Sequence, residues 1–69
     1  MRVVGRIVEM DMASGHGTVR TEGNPVDTAI HAADCRQAGI EPVAGTRLLY
    51  RIGALPNGVT GAIELEPLG

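Results

Sequence analysis

Apolar side chains in this 69-residue chain never recur at helical spacing for more than a turn or so, and ten glycines and four prolines are spread along its length. A stable helix needs several turns of apolar residues on one face, whereas short strands need only alternation and frequent turns. We therefore expect an all-β fold. A small closed barrel accommodates short antiparallel strands best, because closure removes the sheet edges that promote aggregation.

Five segments have the β-branched content or the alternation that is typical of strands. They cover residues 3–10, 16–21, 27–31, 48–52 and 59–65. A brief helical turn is expected within residues 32–39, ending near Gly39. The dipeptide Asn57-Gly58 favours positive φ angles, so it predicts a tight hairpin turn between the last two strands.

The second and third strands form the hairpin that says most about function. Gly15 and Gly17 bracket His16 at its start, and alternation places His16 and Thr18 on the same face. If the hairpin is symmetric about the loop at residues 22–25, facing side chains lie about 5 Å apart at Cβ. The expected cross-strand pairs are His16 with His31, Thr18 with Ala29, and Arg20 with Asp27.

Composition limits the kinds of site that the chain can build. It has no Phe, no Trp and a single tyrosine, Tyr50, so its core must consist of small aliphatic side chains. Such a core leaves little room for a deep pocket, which favours a surface function over an enclosed active site. The sequence shows no nucleophile paired with a base, no general acid/base pair and no established metal-binding motif. We expect one non-enzymatic domain spanning residues 1–69, with no cofactor and no metal.

The charge balance argues against a strong electrostatic grip on a polyanion, since the formal net charge is −2 and the pI is near 5.5. All six basic residues are nevertheless arginines. A guanidinium group can form two hydrogen bonds to one phosphate, which an ammonium group does not do. A local basic strip is therefore compatible with the acidic total, although arginine usage alone is also typical of compositional bias.

Cys35 is the only cysteine, so no disulfide can form within the chain and a reducing cytoplasm is the expected compartment. We expect Cys35 to be a small packing residue or a solvated residue in the helical turn. Residues 1–6 lack the apolar run of a signal sequence, and no stretch approaches the roughly 20 apolar residues that span a bilayer. We therefore expect the protein to be cytoplasmic and to make no contact with a membrane.

Four segments of the chain have the order and spacing of a known family. They are residues 5–11 (GRIVEMD), 14–19 (SGHGTV), 27–32 (DTAIHA) and 45–50 (GTRLLY). In this order they resemble the first strand, the two ribonucleoprotein motifs and the fourth strand of the cold-shock domain. That family is a five-stranded OB-type barrel that binds single-stranded RNA and DNA. The resemblance covers nearly the whole chain, and it implies the same fold and the same class of partner.

The chain departs from this family where the family binds nucleic acid. Val8, Glu9 and Met10 stand in place of the usual Lys-Trp-Phe run, and the first motif has His16 and Thr18 in place of two aromatics. The second motif has alanines where aromatics are expected but keeps its histidine. Because each lost stacking ring removes about 1–3 kcal/mol per base, we expect binding of reduced affinity.

The resemblance, together with the hairpin register, implies a set of residues that contact single-stranded nucleic acid. These residues are Met10, His16, Thr18, Arg20, Ala29 and His31. The two imidazoles would stack on bases, Arg20 would contact phosphate, and Met10 and Ala29 would form an apolar floor. Since imidazole gains charge between about pH 8 and pH 5, binding should tighten toward acid pH.

Two other functions are compatible with this surface. The face that lacks the family's aromatics is partly apolar through Met10, Ala29 and Ala32, so it is a candidate surface for a protein partner or a second copy. Zinc accepts imidazole and carboxylate ligands, so His16, His31 and Glu9 have suitable chemistry, but their spacing matches no established motif.

Arg20 has an alternative role of its own. It either contacts phosphate beside the imidazoles or simply pairs with Asp27 as an exposed ion pair, which contributes about 0–1 kcal/mol.

Overall fold

In the computed structural model, which describes residues 1–68, five strands and one short helix follow one another through brief turns. They are β1 (Val3–Asp11), β2 (His16–Thr21), β3 (Asp27–His31), α1 (Ala32–Gln37), β4 (Arg47–Ala54) and β5 (Thr60–Pro67). The predicted all-β class is confirmed. Strands β2 and β3 have the predicted bounds, and the ends of the other three lie within two residues of them.

The strands close into a barrel in the order β1-β2-β3-β5-β4, with β4 returning to β1. This arrangement is consistent with the expected OB-type barrel. Four of the neighbouring pairs are antiparallel, but β3 and β5 are parallel. The purely antiparallel expectation was wrong on this point for a topological reason. A closed ring with an odd number of strands cannot alternate direction at every step, so at least one pair must be parallel.

Strand β1 contains a bulge that determines which of its side chains face outward. Ile7 pairs with Val19 of β2, and the next registered pair is Glu9 with Thr18, so Val8 is an extra residue on β1. A one-residue insertion moves all later side chains to the opposite face of the strand. Glu9 consequently faces solvent, whereas residue 10 turns back toward the barrel interior.

The barrel interior is filled by aliphatic side chains around one aromatic. Tyr50 on β4 is fully buried, and its hydroxyl lies 2.6 Å from Oγ1 of Thr21 on β2. The remaining core cluster comprises Ile7, Val19, Ile30, Cys35, Ile40, Leu48 and Ala62. Because the sole tyrosine is hydrogen-bonded within this cluster, it both fills volume and ties β4 to β2 across the barrel.

Two turns differ in how well they were anticipated. The predicted helical turn is α1, which buries Ala32 and Cys35 and ends before Gly39, whose φ of 76° is left-handed. In the turn between β4 and β5, Gly58 alone has positive φ, at 86°. Residues 55–59 connect β4, which ends at Ala54, to β5, which begins at Thr60. The Asn57 side chain accepts a hydrogen bond from the backbone N–H of Val59 at 3.0 Å within this turn.

No helix within the described residues is both long enough and apolar enough to span a membrane.

Candidate functional site

The hairpin formed by β2 and β3 has the register that the sequence predicted. His16 pairs with His31, Thr18 with Ala29, and Arg20 with Asp27. Val19 of β2 and Ile30 of β3 are buried. Because side chains alternate along each strand, the residues on either side of Val19 and of Ile30 face outward. The hairpin therefore presents a continuous outer surface, which we call the β2–β3 face: His16, Thr18, Arg20, Asp27, Ala29 and His31.

Two imidazole rings occupy one end of the β2–β3 face. The ring centroids of His16 and His31 are 4.9 Å apart and their planes are inclined by 25°, which is a stacked arrangement. His31 is also the residue before α1, but its side chain makes no capping hydrogen bond. Each ring covers one side of the other, so a base could stack only on the outer sides of the pair, where His16 is exposed and His31 is half-buried.

The middle of the β2–β3 face is small and flat. Thr18 and Ala29 are both half-buried, and neither side chain projects far enough to interrupt the surface. Oγ1 of Thr18 is buried and has no hydrogen-bond partner among the described residues. A buried hydroxyl without a partner is uncommon, because its desolvation is not compensated. On the β1 side, the exposed Glu9 lies opposite Thr18 and places a carboxylate beside this surface.

Arg20 and Asp27 lie at the other end of the β2–β3 face. Nε of Arg20 donates to Oδ1 of Asp27 at 2.7 Å, and both side chains are substantially exposed. This hydrogen bond, followed by the charge of Asp27, raises the pKa of the Arg20 guanidinium. The expected ion pair is thus present, and it engages Nε rather than the terminal Nη groups of the arginine.

Met10 does not join the other expected residues. It is partly buried and packs against the core cluster, next to Gly17 on β2. The expectation of an outward apolar floor overlooked the bulge at Val8, which turns Met10 inward and Glu9 outward. Ala32 is only 1% exposed, so the apolar surface expected from Met10, Ala29 and Ala32 does not form.

Cys35 belongs to the core. It is fully buried in α1, and burial, with a smaller effect from Asp34, raises the pKa of its thiol. Cys35 is therefore a packing residue, as one of the two expectations held, and the expectation of a solvated cysteine was wrong. Within residues 1–68, no group of three or more His, Cys, Asp or Glu side chains is arranged to hold a metal ion.

Sequence reasoning missed two arginines close to the β2–β3 face. Arg6 of β1 is paired in register with Arg20 of β2 on one side and with Arg47 of β4 on the other. All three side chains are exposed. The available signal was the exclusive use of arginine as the basic residue, but the β1–β4 register that aligns these arginines has no local sequence signature.

Comparison with known proteins does not extend this description. No protein-family model matches the chain, and no match was found among the curated proteins or the solved structures.

Proposed function

We propose that the chain is a divergent cold-shock-type domain whose β2–β3 face binds single-stranded RNA or DNA with modest affinity. The observation that carries this proposal is the stacked pair of His16 and His31 on the outer surface of the barrel. Single-stranded nucleic acids are recognised mainly by stacking of splayed bases on aromatic side chains, histidine included.

The remaining residues of the face support the same interaction. The flat surface at Thr18 and Ala29 lets a base approach the backbone of the sheet closely. At the far end, the Nη groups of Arg20 are oriented by the Nε–Asp27 bond and can donate to a phosphate.

The same geometry supports modest rather than high affinity. Two imidazoles offer less stacking area than the several rings of a sequence-tolerant groove. Glu9 adds a carboxylate next to the path of a polyanion, and Asp27 competes with phosphate for Arg20. Binding of this kind is passive, because it needs no covalent chemistry and no cofactor.

The proposal is tested by fluorescence anisotropy of labelled heptathymidine and of a mixed-sequence RNA at low and physiological salt. Replacing both imidazoles (His16→Ala with His31→Ala) should weaken binding by about tenfold or more, since base stacking is worth about 1–3 kcal/mol. Gln37→Ala, an exposed polar truncation on α1, is the matched control and should leave affinity unchanged. His16→Phe, which keeps a stacking ring at this position, should retain or improve binding.

Two results would contradict the proposal. One is an absence of saturable binding to either oligonucleotide at low salt. The other is an equal loss of affinity in the histidine and Gln37→Ala variants. Salt-independent association would indicate apolar contact with a protein or a second copy instead, because phosphate binding releases counterions and weakens steeply with salt.

A further inference from the structure

Three arginines form a row across adjacent strands on the outside of the barrel. Arg6 lies at the centre on β1, flanked by Arg20 on β2 and Arg47 on β4 through the registered pairs of those strands. Directly paired residues in neighbouring strands project from the same face of a sheet, with Cβ atoms about 4.5–5.5 Å apart. Three guanidinium groups therefore share one patch, which we call the arginine row.

The arginine row lines a groove of about 490 Å³. The other wall is the turn between β2 and β3, residues 21–25, and neither imidazole lines the groove. This volume is within the range of about 300–1,000 Å³ that is typical of small-molecule sites. Arg20 is four residues beyond His16 on β2, or roughly 13 Å at about 3.3 Å per residue, so the groove is spatially distinct from the imidazole pair.

The acids around this groove neutralise the two outer arginines but not the central one. Nη2 of Arg47 donates to both carboxylate oxygens of Glu22, at 2.9 and 3.1 Å, and Arg20 donates through Nε to Asp27. No salt bridge to Arg6 is found within residues 1–68. The three guanidinium groups are thus accompanied by two carboxylates, of which only that of Glu22 lines the groove, and the excess positive charge is centred on Arg6.

Fold stability does not account for an arginine at position 6. Like charges directly opposite each other across strands are destabilising, and Arg6 faces a like charge on both sides. A neutral or acidic residue there would satisfy its two neighbours better. A local arrangement that opposes stability in this way is typical of a binding site.

We propose that the arginine row is a binding site for phosphate oxyanions, with Arg6 as its central ligand and Arg20 and Arg47 as its flanks. Guanidinium groups bind phosphate through paired, charge-assisted hydrogen bonds. Arg20 keeps its Nη groups and Arg47 keeps Nε and Nη1 outside their bonds to carboxylates, so all three arginines have donors for an anion. The phosphate belongs either to a free polyphosphate or to the backbone of a nucleic-acid strand.

Isothermal titration calorimetry with inorganic pyrophosphate and tripolyphosphate, at low salt, tests the site without involving bases. Arg6→Gln should weaken binding by about tenfold or more, as expected for loss of a charged hydrogen-bonding ligand. Arg36→Gln is the control, because it removes the same charge from an exposed position on α1. Arg36 forms no salt bridge within residues 1–68, and its replacement should change affinity less than twofold.

Thermal unfolding separates a binding role from a structural one. Without added anion, Arg6→Gln should be at least as stable as the wild type, because it relieves the repulsion along the row. With pyrophosphate, the wild type should gain melting temperature and Arg6→Gln should gain much less, since a ligand stabilises only the state that binds it. An arginine with a purely structural role would instead lose stability when replaced, with or without the anion.

A second arm distinguishes the two sources of phosphate. If the site binds a nucleic-acid backbone, pyrophosphate should displace labelled heptathymidine. Arg6→Gln should then weaken heptathymidine binding even though both histidines are retained. If the site serves a free polyphosphate, pyrophosphate should bind without displacing the oligonucleotide. Both outcomes support the site.

Two calorimetric results would overturn this proposal. They are the absence of saturable heat with either phosphate, or equal losses in Arg6→Gln and Arg36→Gln. Because pyrophosphate carries no bases, this test can fail or succeed independently of the function assigned to the imidazoles.

Discussion

Tyr50→Ala is expected to lose about 3–5 kcal/mol of unfolding free energy, the usual cost of truncating a buried aromatic. Tyr50 is 0% exposed, and the chain has no Phe or Trp, so the cavity would lie at the centre of the aliphatic core. At about 0.05–0.15 kcal/mol per residue, a domain of this size has only about 3–10 kcal/mol in total. The variant should therefore be largely unfolded or close to it.

Urea denaturation followed by far-UV circular dichroism measures this loss. Tyr50→Phe is the matched variant, since it keeps the ring and removes only the hydroxyl that lies 2.6 Å from Oγ1 of Thr21. It should cost about 0.5–1.5 kcal/mol, the net value of a typical hydrogen bond. If the alanine variant were no less stable than the phenylalanine variant, ring packing would not be the main contribution of Tyr50.

Gly17→Ala is expected to destabilise the barrel by about 3 kcal/mol, at the upper end of the usual overpacking cost. Gly17 faces inward at the start of β2, and an added Cβ would collide with the backbone carbonyl of Glu9 on β1. The same Cβ would lie 2.9 Å from both Sδ and Cε of Met10. The methionine can move, but the carbonyl belongs to the β1 backbone, so β1 and β2 would have to separate.

Gly15→Ala provides the control for this prediction, because it changes the other glycine beside His16. A Cβ at Gly15 would meet nothing within 4 Å, and only its φ of 78° disfavours alanine. That conformation costs roughly 1–2 kcal/mol for a residue with a Cβ. Equilibrium unfolding should rank Gly17→Ala as the more damaging change, and the reverse order would show that backbone conformation, rather than strand spacing, governs this segment.

The hairpin was the most predictable part of the molecule. Alternation from His16 onward and one short loop were enough to fix its register, and the structure has the predicted pairing of His16 with His31. These are local properties, since both strands are adjacent in sequence. The stacking of the two rings then follows from their being opposite each other on a pleated surface.

The remaining parts depended on contacts that the sequence does not encode locally. Met10 was expected outside because the alternation of β1 was continued through Val8, where the structure has a bulge. The arginine row depends on pairing Arg6 with Arg47, which are far apart in sequence. The residue types are visible in the sequence, but only the closed barrel shows which side chains Met10, Arg6 and Arg47 lie beside.

The parallel junction between β3 and β5 has a consequence for how the barrel opens. These strands are joined by one registered pair, Ala29 with Gly61, whereas every other junction has several. Local opening requires the least free energy where the fewest backbone hydrogen bonds must break. An opened junction exposes two strand edges that can accept the equivalent strands of a second molecule. The β3–β5 junction is therefore the place in the barrel where exchange of strands with a second molecule would begin most readily.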